Sequence, residues 1–197
     1  MRGQAFLSEL ESIGALKTGH FLLASGRHSD RYIEKFDLLR NPRATERACR
    51  AMIDMLGGQA FDLVVGPTTG GILLAFEIGR QLGLPAAYAE RAVDGASARA
   101  FKRGTAIKAG ARVLLVDDIL TTGGSIRETL AALGDWRADV RVVSVLVDRS
   151  GGSVEFGVPL VALASLQIDT HDQSTCPLCA VGLPIEKPGS TVAPTAR

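Results

Sequence analysis

The chain has few of the features that mark secreted, membrane or nucleic-acid-binding proteins. Its 197 residues include only three cysteines, too few for a disulfide framework. No apolar run reaches the roughly 20 residues of a membrane span, and residues 1–10 lack the basic stretch and apolar core of a secretory signal. The net charge is +1, and the 22 basic and 21 acidic residues are interspersed, without a basic stripe. We therefore expect a cytoplasmic protein without a nucleic-acid or membrane partner.

The apolar patterns that are present predict an α/β fold. With 46% hydrophobic residues, the chain can form one domain with a sizeable core. Helical patterns cover residues 3–16, 44–56, 71–82 and 124–133, and extended patterns cover 21–24, 31–36, 62–66, 86–90, 112–116, 140–147 and 161–168. Because strands alternate with helices from residue 62 onward, we predict an open, mostly parallel sheet flanked by helices.

The most informative segment comprises residues 113–125. Its first four residues are apolar, as in a buried parallel strand, and two acids, Asp117 and Asp118, follow. The small residues of 121–125 then open a helical pattern, so backbone N–H groups and the positive end of a helix would face an anion. Ligands gather at the carboxyl ends of strands in such sheets. Since carboxylates accept hydrogen bonds from sugar hydroxyls, the segment predicts a site for a phosphorylated sugar.

This segment has two alternative interpretations. A strand ending in two acids also occurs in P-loop NTPases, but the chain contains no G-x-x-x-x-G-K-[ST] loop to hold a triphosphate. Alternatively, an acidic strand end and a helix capped by Thr122 or Ser125 could adjoin without any ligand. A second glycine-rich turn at residues 66–71, with Thr69 and Gly70, favours a ligand, because it follows another predicted strand and would offer a second anion site at the same edge.

These motifs resemble those of type I phosphoribosyltransferases. Residues 113–125 are similar to the motif with which this family binds 5-phosphoribosyl 1-diphosphate (PRPP), and residues 21–29 resemble an F-x-L-x-S-G-x-x-S signature of its orotate branch. Residues 147–152 resemble the late strand of that branch, which ends in Asp-Arg, here Asp148 and Arg149. The resemblance spans residues 5 to about 185 and implies a single domain over residues 1–187, with a hood at about 1–40 and 170–187 over a core at about 44–169.

The resemblance implies a Mg²⁺-dependent pentosyltransferase that makes orotidine 5′-monophosphate and diphosphate from orotate and PRPP in pyrimidine biosynthesis. Asp117 and Asp118 would be catalytic and would hold the ribose. The other residues implied in PRPP binding are Thr69, Gly70, Arg91, Ile119, Leu120, Thr121, Thr122, Gly123, Gly124 and Ser125. Thr121 and Arg149 would contact orotate, whose carboxylate suits a guanidinium. Mg²⁺ would be bound mainly through PRPP and not by protein side chains alone, and a homodimer is implied.

A segment without apolar periodicity, residues 90–108, is interpreted as a lid. Its candidates for contact with diphosphate, beside Arg91, are Arg99, Lys102 and Arg103; the alternative is solvated surface charge. The orotate branch has further Lys and His residues here, and only Arg91 matches in charge; Ala24 also stands where that branch often has a basic residue. A purine-type phosphoribosyltransferase and a non-catalytic PRPP-binding regulator therefore stay open.

Two further features lie near the end of the chain. Cys176 and Cys179 form a C-x-x-C turn, which supplies two of the four ligands of a zinc site; His171 or a symmetric partner chain could supply others. We favour reduced thiols in a tight turn and predict no metal there, because complete ligand sets normally show in the sequence. Residues 188–197, rich in Pro, Gly and small polar residues, are predicted to be a disordered tail.

Overall fold

A computed structural model describes residues 2–92 and 98–188 of the chain. Its main sheet has six strands in the order β5-β4-β3-β6-β7-β8, all parallel except the short edge strand β5. These strands are β3 (Leu63–Pro67), β4 (Ala86–Arg91), β5 (Arg99–Ala100), β6 (Arg112–Leu120), β7 (Asp139–Asp148) and β8 (Leu160–Ser165). The helices are α1 (Gln4–Ser12), α2 (Lys35–Leu39), α3 (Pro42–Asp54), α4 (Gly70–Leu82), α5 (Gly124–Asp135) and α6 (Pro177–Ala180). The predicted parallel α/β sheet is confirmed.

The two faces of this sheet are covered by different helices, which explains why its central strands are apolar throughout. Residues of α1, α3 and α4 pack in one cluster with strand residues such as Leu114. Residues of α5 pack in a second cluster with strand residues such as Leu115, whose side chain points to the opposite face. In the part of the chain that the structure describes, no helix is both long and apolar enough to cross a membrane.

The two ends of the chain meet in a separate three-stranded sheet. β1 (Leu16–Leu22) and β2 (His28–Ile33) form an antiparallel hairpin, and β9 (Thr170–His171) pairs with the other edge of β2. A later stretch lies beside β1, where the N–H of Glu186 donates to the carbonyl of His20 at 2.7 Å and its carbonyl accepts from the N–H of Leu22 at 2.8 Å. The N-terminal and C-terminal segments that were predicted to form a hood are thus joined by backbone hydrogen bonds.

The structure departs from the predicted elements mainly in the first forty residues. Helix α1 ends at Ser12 and not at residue 16, because the chain turns at Gly14, whose φ is 74°, and β1 begins soon after. The predicted extended pieces at 21–24 and 31–36 are displaced from β1 and β2, and the second overlaps α2. Hairpin strands are positioned by their cross-strand partners, which a periodicity pattern does not contain.

Part of the segment interpreted as a lid pairs with the edge of the main sheet. β5 runs antiparallel to the end of β4, with Arg99 opposite Arg91 and Ala100 opposite Glu90. That pairing contradicts the prediction of a fully structureless stretch from 90 to 108. The remainder of the lid prediction at residues 93–97, and the predicted tail from residue 189 onward, lie outside the described residues.

Candidate active site

Two helices begin at the same edge of the main sheet, on neighbouring strands. β3 leads through Thr68 and Thr69 into α4, and β6 leads through a short loop into α5. For the described residues, the N-cap of neither helix, Thr69 or Gly123, makes a side-chain capping hydrogen bond. The first N–H groups of a helix lack partners within the helix and carry its positive dipole end. The edge therefore presents two adjacent positions that suit anions.

Asp117 and Asp118 lie between these two positions, and both are buried, with 6% and 4% exposure. The strand does not end before them as predicted: β6 continues to Leu120, because it keeps pairing with the long neighbour β7. Asp117 accepts hydrogen bonds from the N–H of Asp118 at 2.9 Å and from the hydroxyl of Ser125 at 2.7 Å. Asp118 accepts one from the N–H of Ile119 at 2.7 Å through Oδ1. These bonds fix both carboxylates in place.

The electrostatics of the two acids differ. Burial, together with the charge of Asp118, raises the pKa of Asp117 to about 6, and the hydrogen bond from Ser125 opposes this shift. Asp118 instead has a cation beside it, since the Nζ of Lys35 lies 2.8 Å from its Oδ2. Buried carboxylates need such partners to stay ionised. Asp118 therefore lies in an ion pair with Lys35, whereas Asp117 holds the loop through Ser125.

Gly70, the first residue of α4, is required by its closeness to Asp118. A Cβ at this position would lie 1.8 Å from the Oδ2 of Asp118 and 3.1 Å from the Cδ1 of Leu39. The glycine therefore lets the N-terminus of α4 approach the carboxylate directly. Gly66, near the end of β3, lets the strand approach the start of α4, because a Cβ there would lie 2.0 Å from the carbonyl oxygen of Gly71. The glycines of the second glycine-rich turn are thus required both by the closeness of Asp118 and by the close approach of the backbone to itself.

The loop between β6 and α5 contains the other residues predicted to bind phosphate. Thr121 and Thr122 are exposed, whereas Gly123 is buried with a φ of 77° and starts the helix. A Cβ on Gly123 would lie 2.9 Å from Val154, so the loop depends on glycine both for its conformation and for space. Ser125 does not point its hydroxyl into the loop, since it donates to Asp117.

Lys35 and Tyr32 also lie at this site, and neither was among the predicted site residues. Lys35 opens α2 directly after β2 and reaches Asp118. Burial raises the pKa of the Tyr32 hydroxyl, as does the charge of Glu34, while the charges of Lys35 and Arg149 lower it. Tyr32 therefore lies within electrostatic range of both cations. No motif marks these residues, because they reach the site through the packing of the hairpin on the sheet.

Arg149 reaches the same edge from the end of β7, and its N–H donates to the carbonyl of Leu120 at 2.8 Å. Its Nε is buried and has no hydrogen-bond partner among the described residues. Burial lowers the pKa of this guanidinium, and the charge of Tyr32 opposes the shift. Asp148 accepts from the N–H of Ser150 at 2.7 Å and so is engaged in the turn. Arg149 is consequently a half-buried cation whose buried Nε is left for an anion.

The three lid candidates make contacts along β4 and do not point together into the site. The Nη1 of Arg99 donates to the Oγ1 of Thr68 at 2.9 Å, and its Nε lies 3.2 Å from the Oε2 of Glu128. The ammonium of Lys102 donates to the carbonyl of Arg91 at 2.6 Å, and Arg103 pairs with Glu90 at 3.3 Å. In this arrangement Arg99 supports the Thr68 turn from behind, while Lys102 and Arg103 hold the lid segment against β4.

Comparisons with known proteins agree with this geometry. The family model described as the phosphoribosyl transferase domain matches residues 37–156. The chain is 40% identical over 190 residues to the orotate phosphoribosyltransferase of Caldanaerobacter subterraneus subsp. tengcongensis, covering 96% of this chain and 98% of the relative. It is also 40% identical over 196 residues to that of Methylorubrum populi, covering 98% and 99%.

Among solved structures, the orotate phosphoribosyltransferase from Aeropyrum pernix superposes with a TM-score of 0.70 at 33% identity, covering 81% of this chain and 92% of that one. The resemblance inferred from residues 113–125 is confirmed by a match that includes this segment. The chain belongs to the phosphoribosyl transferase family.

Proposed function

We propose that the protein is an orotate phosphoribosyltransferase that uses PRPP. In the reaction, N1 of orotate gives up its proton to water and forms a bond to C1 of the ribose, and the C1–O bond breaks so that diphosphate leaves with the electron pair. The observation that supports orotate as the base is Arg149, whose buried Nε lacks a partner among the residues described. Orotate has a carboxylate beside its ring, and a guanidinium binds carboxylates in a planar, bidentate manner. The names of the relatives support the same base.

We assign the two anion positions at the sheet edge to the two ends of PRPP. The loop of Thr121, Thr122, Gly123 and Gly124 would bind the 5′-phosphate, and Thr69 with Gly70 would contact the diphosphate. Support comes from the uncapped starts of α5 and α4, which lie on adjacent strands. Arg91, Ile119 and Leu120 remain proposed contacts. Ser125 would act through Asp117, to which its hydroxyl is bonded.

The two acids would hold the ribose between these ends. Three of their four carboxylate oxygens accept hydrogen bonds from the protein, which leaves the Oδ2 of Asp118, beside Lys35, to receive a ribose hydroxyl. As the bond to diphosphate breaks, positive charge grows on the ribose ring, and a fixed carboxylate stabilises that charge. No side-chain nucleophile is required, because the base itself attacks.

The hydrogen bonds of the two acids limit how these carboxylates could hold the proposed Mg²⁺. Mg²⁺ prefers oxygen ligands in an octahedron and keeps several waters. Because three carboxylate oxygens are already engaged and the fourth faces Lys35, the acids fit a supporting role and do not form a cage. When bound through PRPP, Mg²⁺ would neutralise charge on the leaving diphosphate. The protein would contribute the carboxylate of Asp118 and the backbone N–H groups at the start of α4.

The experiment that tests the function is an orotate absorbance assay with PRPP and Mg²⁺, run beside adenine, hypoxanthine and xanthine. We expect PRPP-dependent loss of orotate and release of diphosphate with orotate alone. Consumption of a purine in place of orotate would identify a purine-type enzyme. Binding of PRPP in calorimetry without turnover of any base would identify a PRPP-binding regulator.

We further infer that two copies of the chain associate. α4 exposes two apolar side chains one turn apart, Leu73 at 42% and Phe76 at 66%. Large apolar side chains that adjoin on a surface commonly mark contacts between proteins. The helix begins at the proposed diphosphate position, so an interface on α4 would lie next to the site.

A further inference from the structure

Four side chains with metal-binding atoms meet in the hood, away from the proposed ribose site. They are His20 on β1, His28 on β2, Cys176 and Cys179, and their nearest ligand atoms all lie within 4.8 Å of one another. His20, His28 and Cys176 are buried, with exposures of 3%, 4% and 3%. Buried imidazoles and thiols at such distances require a shared partner or a hydrogen-bond network. The group is a Cys₂His₂ set supplied by one chain.

Two distances within this group match the edges of a zinc tetrahedron, and two are shorter by a few tenths of an ångström. Bonds of about 2.0 Å to nitrogen and 2.3 Å to sulfur place ligand atoms about 3.3–3.8 Å apart. Here the sulfurs of Cys176 and Cys179 lie 3.6 and 3.7 Å from the Nε2 of His20, and the sulfur of Cys179 lies 3.2 Å from the Nδ1 of His28. The two imidazole nitrogens are 2.9 Å apart. A metal ion at the centre would need only small adjustments of these side chains.

A second contact orients His20 for this role. Its Nδ1 lies 2.8 Å from the carbonyl oxygen of Leu183. A carbonyl can only accept a hydrogen bond, so Nδ1 carries the proton and Nε2 presents its lone pair to the group. Metal-binding histidines usually have this type of bond from the second ring nitrogen. On metal binding, the two thiols would each release a proton and bind as thiolates.

We propose that His20, His28, Cys176 and Cys179 form a structural zinc site that fixes the C-terminal segment to the β1–β2 hairpin. Two thiolates and two imidazoles favour zinc over Mg²⁺ or Ca²⁺, which prefer oxygen. Four protein ligands leave no open position for substrate, which makes the site structural and not catalytic. From the sequence, His171 was the one histidine candidate and no metal was predicted at this turn; among the residues described, His20 and His28 complete the group instead.

The site would hold together parts of the hood that adjoin the proposed base position. The hairpin that supplies both histidines leads through Tyr32 to Lys35, which pairs with Asp118. The C-terminal segment supplies both cysteines, and its later part hydrogen-bonds to β1. Zinc would therefore order the hood rather than take part in transfer, so its loss should lower thermal stability whether or not the protein turns over orotate.

The first test uses the wild-type protein, purified without a metal-affinity step and analysed by elemental mass spectrometry and X-ray absorption. We expect about one zinc per chain, with a first shell of two sulfur and two nitrogen atoms. Replacement by Co²⁺ should give the intense visible bands of a tetrahedral thiolate site. Substoichiometric metal after reduction and zinc addition, iron at this position, or a disulfide between Cys176 and Cys179 would overturn the proposal.

The second test uses variants for which the chain provides matched controls. Cys179→Ser and His20→Asn should lose the zinc and lower Tm. Cys49→Ala and His171→Asn change the remaining cysteine and histidine, which lie outside the group, and should keep one zinc. If Cys179→Ser is insoluble, partial metal removal from wild-type protein, followed by Tm and zinc re-addition, gives the same comparison. Zinc retained by Cys179→Ser and His20→Asn, or lost equally by the two controls, would contradict the site.

Discussion

Replacing Gly70 by alanine tests whether the start of α4 and Asp118 act as one unit. The new Cβ would lie 1.8 Å from the Oδ2 of Asp118 and 2.9 Å from its Cγ. Non-bonded atoms of this kind settle at roughly 3.5 Å, so the carboxylate or the helix must move by on the order of 1.5 Å. The carboxylate has little freedom to move, because its Oδ1 accepts from the N–H of Ile119 at 2.7 Å and its Oδ2 pairs with Lys35 at 2.8 Å.

The size of the effect follows from this displacement. Misplacing a catalytic group by about 1 Å typically costs about 100-fold in rate. We therefore expect kcat/KM for orotate to fall about 100-fold in Gly70→Ala, which corresponds to about 2.7 kcal/mol of transition-state stabilisation. The free energy of unfolding should change by less than this loss of transition-state stabilisation. Overpacking costs about 1–3 kcal/mol, whereas alanine in a helix gains about 1 kcal/mol over glycine.

The assay is steady-state orotate consumption, with Tm measured on the same preparations. Gly134→Ala is the matched control, since Gly134 lies in α5 and a Cβ there meets nothing within 4 Å. It should leave kcat/KM unchanged and raise Tm slightly. In an Asp118→Ala background, Gly70→Ala should cause little further loss, because the displaced group is already absent. A full additional 100-fold loss in that background, or near-normal activity of Gly70→Ala, would refute the reasoning.

Three other predictions concern the base, the acids and the interface. Arg149→Ala should raise the KM for orotate about 10-fold or more and leave that for PRPP nearly unchanged, and Arg141→Ala, an exposed arginine on β7, should change neither. Burial and the charge of Asp118 raise the pKa of Asp117 to about 6. Just below pH 6 the folded protein therefore keeps the carboxyl proton of Asp117 where the unfolded chain has lost it. The stabilisation of the folded state by this proton is complete at low pH and is lost as the pH rises through 6. The Tm of Asp117→Asn relative to wild type should therefore increase from about pH 5 to about pH 8, and a constant difference would contradict the shift. Phe76→Glu should convert a dimer into a monomer in light scattering, and an unchanged mass would remove α4 from the interface.

The sequence alone supported predictions about the parts of the site that are contiguous in the chain. Asp117, Asp118 and the loop that follows lie on a strand, a turn and a helix that adjoin in sequence, so their meeting at one edge of the sheet could be predicted from residue types and order. The parallel sheet was likewise predictable, because strands buried on both faces are apolar throughout. Arg149 was proposed through the resemblance of residues 147–152 to the orotate branch, and it follows a strand that ends at the same edge of the sheet.

What the sequence did not reveal depends on contacts between distant segments. Lys35 reaches Asp118 across more than eighty positions, and Arg99, expected to move with a lid, is packed behind Thr68. The histidines beside the C-x-x-C turn are eight residues apart on two strands, a spacing that matches no short metal motif. Their meeting depends on the hairpin register, its bulge between Thr18 and Phe21, and the return of the C-terminal segment along β1. Local residue order supports the proposed phosphate and ribose contacts, whereas tertiary packing alone decides which cations and which histidine and cysteine side chains come together. Side-chain proximity across a fold is set by pairing and packing and not by spacing along the chain.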